Sequence, residues 1–265
     1  MKKILSFTYK ISDIYKLNYI LSGYYLIQFI LIIFIANSYT LPISTSYITR
    51  DQLLSKAYGK NLLSQANSHL FDVNVKILII IMLLISIIIY ALLATRYRYH
   101  YEKSLKHQVN TVRWIQNGVS NGLILIMVGL LAGIYDLAML GVLFVLPIIA
   151  NVIMLVEEKR DNQQQIKLSK WQILSFITAV IPLLVILCYV ISADIYGVSG
   201  IATYYYFIFG TVILFYLANF INQLLRVKKF EMWKRYIYSE QVYMILEAVI
   251  KTALIWQIVV GVLRS

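Results

Sequence analysis

Apolar and polar residues come in long blocks along this chain. Seven apolar runs lie at roughly 17–37, 75–95, 114–134, 137–156, 171–192, 202–224 and 241–263, each about long enough to cross a bilayer as a helix. Irregular backbone is not tolerated in hydrocarbon, so the runs predict an all-α membrane protein: one domain over 1–265, folded as a seven-helix transmembrane bundle. No repeat links the runs. Met1-Lys2-Lys3 begins like a signal peptide, but the first run is long and no small-residue cleavage site follows, so it is expected to be a retained helix.

The connections differ in kind. Gly133-Ile134-Tyr135-Asp136 and the stretch from Asp194 to Gly200 read as tight turns. The first long loop, about Thr40 to Val75, opens with Tyr39-Thr40-Leu41-Pro42-Ile43-Ser44-Thr45-Ser46-Tyr47, which alternates small polar and apolar residues. That pattern predicts a short β-hairpin lying over the bundle, either as a cover or with a function of its own. Inside the runs, polar groups are few. They are Ser22, Tyr24, Tyr25 and Gln28 in the first, Ser86 and Tyr90 in the second, and Arg113-Trp114-Ile115-Gln116-Asn117-Gly118-Val119-Ser120-Asn121 opening the third. Asn151 lies in the fourth, and Asn219, Asn222 and Gln223 in the sixth. Such groups normally face the bundle interior. Gly129 and Gly133 form a GxxxG match that predicts close helix packing, and Pro147 and Pro182 are expected to kink the fourth and fifth helices. Tyr204-Tyr205-Tyr206-Phe207 reads as an interfacial aromatic belt.

At 60% hydrophobic and 14% charged, the composition excludes a soluble domain. The net charge of +12 could suggest nucleic acid, but the basic residues sit between apolar runs, so topology and membrane lipid explain them and no nucleic-acid partner is expected. Eighteen of the 24 Lys and Arg fall on one side, in groups around Lys2–Lys16, Arg96–Arg113, Lys159–Lys170 and Arg226–Arg235. Arg50, Lys56, Lys60, Lys76 and Arg264 fall on the other. The positive-inside rule then puts the N-terminus in the cytoplasm and the C-terminus outside, as expected of a multi-pass protein of the plasma membrane. Cys188 is the single cysteine, so there is no intrachain disulfide, and no Cys/His metal spacing or nucleophile–base pair supports an enzyme.

The remaining basic residue, Lys251, sits near the middle of the last run, where a charge costs about 2.5–3.5 kcal/mol on insertion scales. Glu247 precedes it by one helical turn, on the same face. Two readings fit: a self-neutralising ion pair at a helix contact, or a functional amine with its carboxylate.

Seven helices with a lysine in the middle of the last suggest a retinal protein, and the local sequences narrow this. Arg113-Trp114-Ile115, Gly133-Ile134-Tyr135-Asp136 and Leu41-Pro42-Ile43-Ser44-Thr45-Ser46 resemble the heliorhodopsin family. So does the stretch from Lys228-Lys229 through Trp233, Tyr236, Glu240 and Tyr243 to Lys251 and Ala253-Leu254-Ile255-Trp256-Gln257. The likeness runs from Asn18 to Leu263, and the orientation derived from charge matches that family. The resemblance implies a rhodopsin-like bundle around all-trans retinal, bound to Lys251 as a Schiff base. It also implies a homodimer helped by the first long loop, and a slow light sensor rather than a strong pump or an enzyme. A cytoplasmic signalling partner would dock on the basic loops. Trp256 and Gln257 match pocket-side positions, and Gln28 a polar position of the first helix.

The departures are informative. Gln116 stands where the family carries its counterion glutamate, Tyr25 and Tyr90 stand where it has histidines, and Glu247 replaces a serine. A protonated Schiff base in a low-dielectric bundle needs a nearby anion. Three accounts follow: the counterion has moved to Glu247, the chromophore is deprotonated and absorbs in the near ultraviolet, or a bound anion sits beside Gln116. The tyrosines are expected either to position water or Glu247 or simply to pack. The candidate site is Lys251 and Glu247 with Gln116, Tyr25, Tyr90, Ser86, Gln28, Ser120, Trp256 and Gln257. A light-gated ion or proton conductor is the alternative, weakened because the other interior polar groups are mainly amides and hydroxyls; a chromophore-free scaffold is a third reading.

Overall fold

The helices follow the apolar runs and overshoot most of them. The computed structural model describes residues 11–59, 62–160, 168–197 and 201–264, and Lys2, Lys3, Lys10, Lys60, Lys167 and Gly200, used above, lie outside them. The long helices are α1 (Ile11–Ile35), α3 (Val75–Ala94), α5 (Thr111–Leu131), α6 (Leu137–Arg160), α7 (Lys170–Tyr196), α8 (Thr203–Val227) and α9 (Tyr236–Ile258), the last extended by a π-turn over Val259–Leu263. Among the described residues, these seven are long and apolar enough to cross a membrane. Two short helices, α2 (Gln52–Tyr58) and α4 (Arg98–Lys106), lie in the connections.

Polar ends extend the helices because capping groups are present. Asn110 accepts from the Arg113 amide at 3.1 Å, and Ser169 and Gln172 form a reciprocal capping box at the start of α7. α6 runs on through Glu158 to Lys159 and Arg160, basic residues that suit a helix C-terminus. α1 stops at Ile35, where the Lys76 ammonium caps the carbonyls of Ile33 and Ala36 at 3.0 and 2.7 Å. α7 continues to Tyr196, so the turn expected from Asp194 begins only at Gly197. α6 and α7 remain continuous helices through Pro147 and Pro182.

α5 is the central helix. Of its spanning stretch 67% is buried, against 28% of that of α1. A row of glycines seats it on α6: a Cβ at Gly122 would lie 2.7 Å from the Phe144 carbonyl oxygen, one at Gly118 3.2 Å from Ile148 Cα, and one at Gly129 2.6 Å from Leu143 Cδ1. The GxxxG expectation is therefore half corrected. Gly129 packs, whereas Gly133, at φ 88°, serves the turn and has open space around it. The aromatic-belt expectation needs correction at Tyr205, while Tyr204, Tyr206 and Phe207 are exposed. The Tyr205 hydroxyl is buried and donates to the Val128 carbonyl at 2.9 Å, pinning α8 to α5.

The first long loop forms two antiparallel strands, β1 (Thr40–Arg50) and β2 (Leu63–Asn74), with α2 between them and a register shift after Ile43. This is longer than the short covering hairpin expected. Only its base rests on the bundle, where Leu41 and Ile43 are buried; beyond them Tyr47, Ile48 and Leu63 are exposed. Asp136 holds the base. Its carboxylate accepts from the Ser46 amide at 2.9 Å and from the amides of Ala138 and Met139 at the start of α6. Those backbone bonds, that from Met139 first, hold the Asp136 carboxyl below the usual aspartate range.

Candidate functional site

Lys251 lies midway along α9 and is 1% exposed. A lone ammonium in that position would be costly, and the surroundings offset the cost. The Lys251 ammonium pairs with Glu247, and donates to Ser120 Oγ on α5 at 2.9 Å and Ser86 Oγ on α3 at 3.3 Å. Ser86 donates its own hydroxyl hydrogen bond to the Met82 carbonyl, 3.1 Å away, which leaves its lone pairs to the ammonium.

The Glu247 carboxylate is held from both sides. Gln116 donates its amide to Oε1 at 3.3 Å, and the Tyr90 hydroxyl donates to Oε2 at 2.9 Å. All four partners of the pair come from α3 and α5, and each is less than 9% exposed. Tyr25 makes no hydrogen bond to Glu247; it stacks on Tyr90, with ring centroids 5.8 Å apart and planes 13° apart. Lys251 Nζ lies 6.0 Å from the Tyr25 ring centroid.

The other expected residues sit around this centre. Gln28 donates to Thr252 Oγ1 at 2.9 Å, joining α1 to the residue after the lysine, and Tyr24 donates to the same oxygen at 3.1 Å. Gln257 donates to Thr211 on α8 at 2.9 Å, while Trp256 packs at the edge of the apolar core. That core includes Ile124, Ile186, Phe209, Val212 and Ile255, from α5, α7, α8 and α9.

A second charged centre was not expected. Arg226 reads as a loop charge in the sequence and Arg113 as the last of a basic group where the third run opens, and beyond the Lys251–Glu247 pair the helix interiors were expected to hold mainly amides and hydroxyls. In the structure both arginines turn into the basic end of the bundle. Arg113 meets Glu158 and Glu240, each at 3.1 Å, and Arg226 meets Glu158 at 2.7 Å. The Arg113, Glu158 and Glu240 side chains are 4% exposed or less. Arg113 also lies 4.0 Å over the Trp114 ring and 4.2 Å over that of Tyr243, so the charge is covered by aromatic faces. Two cations face two anions, which permits burial. The sequence signal was position: each charge falls within about two turns of a helix end, where a folded end turns charges inward as readily as outward.

One face of α9 links the two centres. Glu240, Tyr243, Glu247 and Lys251 follow at spacings of three, four and four, so they form a single stripe. Tyr243, between the acids, donates to Gln223 at 2.7 Å.

No relative with a curated description matches the chain. The family model for heliorhodopsins matches residues 14–263, nearly the whole bundle including the α9 stripe and its buried lysine. This chain belongs to the heliorhodopsin family, and is an integral multi-pass membrane protein of the rhodopsin-type, light-sensing, retinal-bearing class.

Proposed function

We propose that retinal, in its all-trans form, is joined to Lys251 as a Schiff base, and that Glu247 has become its counterion. The observation that carries this is the buried Lys251–Glu247 pair, with Tyr90 and Gln116 on the two carboxylate oxygens. The residues present fit the group: a buried primary amine, an anion one turn away, and apolar side chains of α5, α7 and α8 in the same core. When bound, retinal supplies light absorption and isomerisation. Glu247 balances the positive nitrogen, Tyr90 and Gln116 fix the carboxylate, and Ser86 and Ser120 accept from the lysine nitrogen. Tyr25 braces Tyr90, while Gln28, Trp256 and Gln257 tie the α9 segment around the lysine to α1, the core and α8.

In this reading the chain is a single-domain photoreceptor of the plasma membrane, with the basic end in the cytoplasm, and neither a pump nor an enzyme. The excess of Lys and Arg at that end supports the orientation. The projecting hairpin, with Tyr47, Ile48 and Leu63 exposed, supports a homodimer formed through it. A signalling partner docks at the basic end, on surfaces such as α4. Borohydride reduction of the pigment tests the attachment: the retinyl adduct belongs on the peptide containing Lys251, and an adduct persisting in Lys251→Ala contradicts it. The α9 stripe also favours a second reading, a light-gated proton conductor, which photocurrents reversing with the proton gradient would support.

A further inference from the structure

At the basic end of the bundle a groove of about 270 Å³ runs between the last turns of α3, the short helix α4 and the first turn of α5. Its lining is of two kinds. Ile89, Leu92 and Leu93 of α3 and Val112 of α5 make an apolar wall. His100 and Ser104 of α4 and Thr111 of α5 make a polar one. Among the described residues, none of these three polar side chains makes a hydrogen bond to the rest of the chain. The groove lies where the spanning stretch of α3 ends at Ala94 and that of α5 begins at Thr111, which is the headgroup level of a bilayer. Tyr97 and Tyr99 beside it are exposed, and tyrosine is enriched at that level.

The charge around the groove is positive. The segment from Arg96 to Lys106 holds Arg96, Arg98, Lys103 and Lys106 against a single acid, Glu102. Glu102 pairs with Lys106 at 3.0 Å, and Arg98 lies 4.3 Å over the Tyr15 ring. Among the described residues neither Arg96 nor Lys103 forms an ion pair, and both are exposed. Each is next in the chain to a lining residue, Tyr97 and Ser104. Behind Asn110, the buried Arg113–Glu158–Arg226–Glu240 cluster sets two cations against two anions, so it does not offset this excess.

We infer that this groove binds an anionic phospholipid of the leaflet at the basic end. One acyl chain lies along the wall of α3 and α5, and the phosphate meets His100, Ser104 and Thr111 beside the charges of Arg96 and Lys103. The size favours a lipid over a partner protein: one helical turn, 5.4 Å long and 10 Å or more across, needs about 400 Å³, whereas an extended acyl chain is slimmer. The two-sided lining favours an amphiphile, and basic sites at this level recruit anionic headgroups over neutral ones. None of these residues belongs to the Lys251 site, so the inference is independent of the chromophore reading.

Native mass spectrometry of the protein released from nanodiscs of equal phosphatidylglycerol and phosphatidylcholine tests it. One phosphatidylglycerol per chain is expected to remain bound, preferred over phosphatidylcholine by about tenfold or more because two cations flank the site. Ser104→Trp, which fills the groove with an indole, should remove the bound lipid. Arg96→Gln combined with Lys103→Gln should cancel the preference while leaving the groove open, and an unchanged unfolding temperature certifies the fold of each variant. A wild type that keeps no lipid, or keeps the two lipids equally, overturns the inference. So does phosphatidylglycerol held as firmly by folded Ser104→Trp, or a preference unchanged in the folded double variant.

Discussion

Gln116 and Glu247 face each other across the contact of α5 and α9, amide nitrogen 3.3 Å from carboxylate oxygen. The geometry relates two departures from the family pattern. A glutamate at 116 would set two carboxylates at hydrogen-bond distance, and such a pair cannot readily ionise together. An amide donates instead, so Gln116 suits an acid at 247 and would not suit one at its own position.

The two positions should therefore exchange roles. Gln116→Glu with Glu247→Ser is expected to keep a visible absorption band, while Glu247→Ser alone loses it. Spectra of the pigments after addition of all-trans retinal check this. Equal loss in both would mean that the anion must sit on α9.

The buried cluster makes a different kind of demand. Glu240→Gln leaves Arg113 with one carboxylate partner in place of two, at a side chain that is 4% exposed. Removing one partner from a buried ion pair costs about 3–5 kcal/mol, and the shared Glu158 should hold the loss at the lower end. Chemical unfolding in detergent measures it. Glu102, partly exposed on α4 and paired with Lys106 at 3.0 Å, serves as the control, and its loss should be close to neutral.

Close packing of α5 on α6 depends on the absence of a side chain. Gly122→Ala would push a methyl into the Phe144 ring and carbonyl, at 2.6 and 2.7 Å, with a destabilisation of about 1–3 kcal/mol. Gly141→Ala, on α6 with nothing within 4 Å, should be neutral or slightly stabilising. The same unfolding assay compares the two.

The hairpin should loosen in acid. Folding lowers the Asp136 carboxyl below its ordinary range, so its contribution is complete above about pH 4, the unfolded value, and is lost as pH falls through the lower folded one. Hydrogen exchange of the Ser46 amide is expected to speed up below that point, and Asp136→Asn should remove most of the pH dependence.

Much of this was legible in the sequence. Blocks of apolar residues give the helices because a bilayer sets their length, and Lys251 with Glu247 stood out because charge at mid-membrane is rare. Ser86, Ser120, Gln116 and Tyr90 were legible as interior polar groups, but their convergence on one pair depends on helix rotation. Gly118 and Gly122 were missed because their spacing becomes a packing row only against Phe144 and Ile148 of α6. The buried Arg113–Glu158–Arg226–Glu240 cluster was missed for a related reason. Charges beside helix ends read as solvated, and only the packed ends of α5, α6, α8 and α9 turn them towards one another.

The most direct test of the relocated counterion is the absorption spectrum of the retinal pigment at neutral pH, wild type beside Glu247→Gln, with Lys251→Ala as the blank. The account predicts a lysine-dependent visible band in the wild type and its shift to the near ultraviolet in Glu247→Gln. A visible band of unchanged position in Glu247→Gln would contradict it.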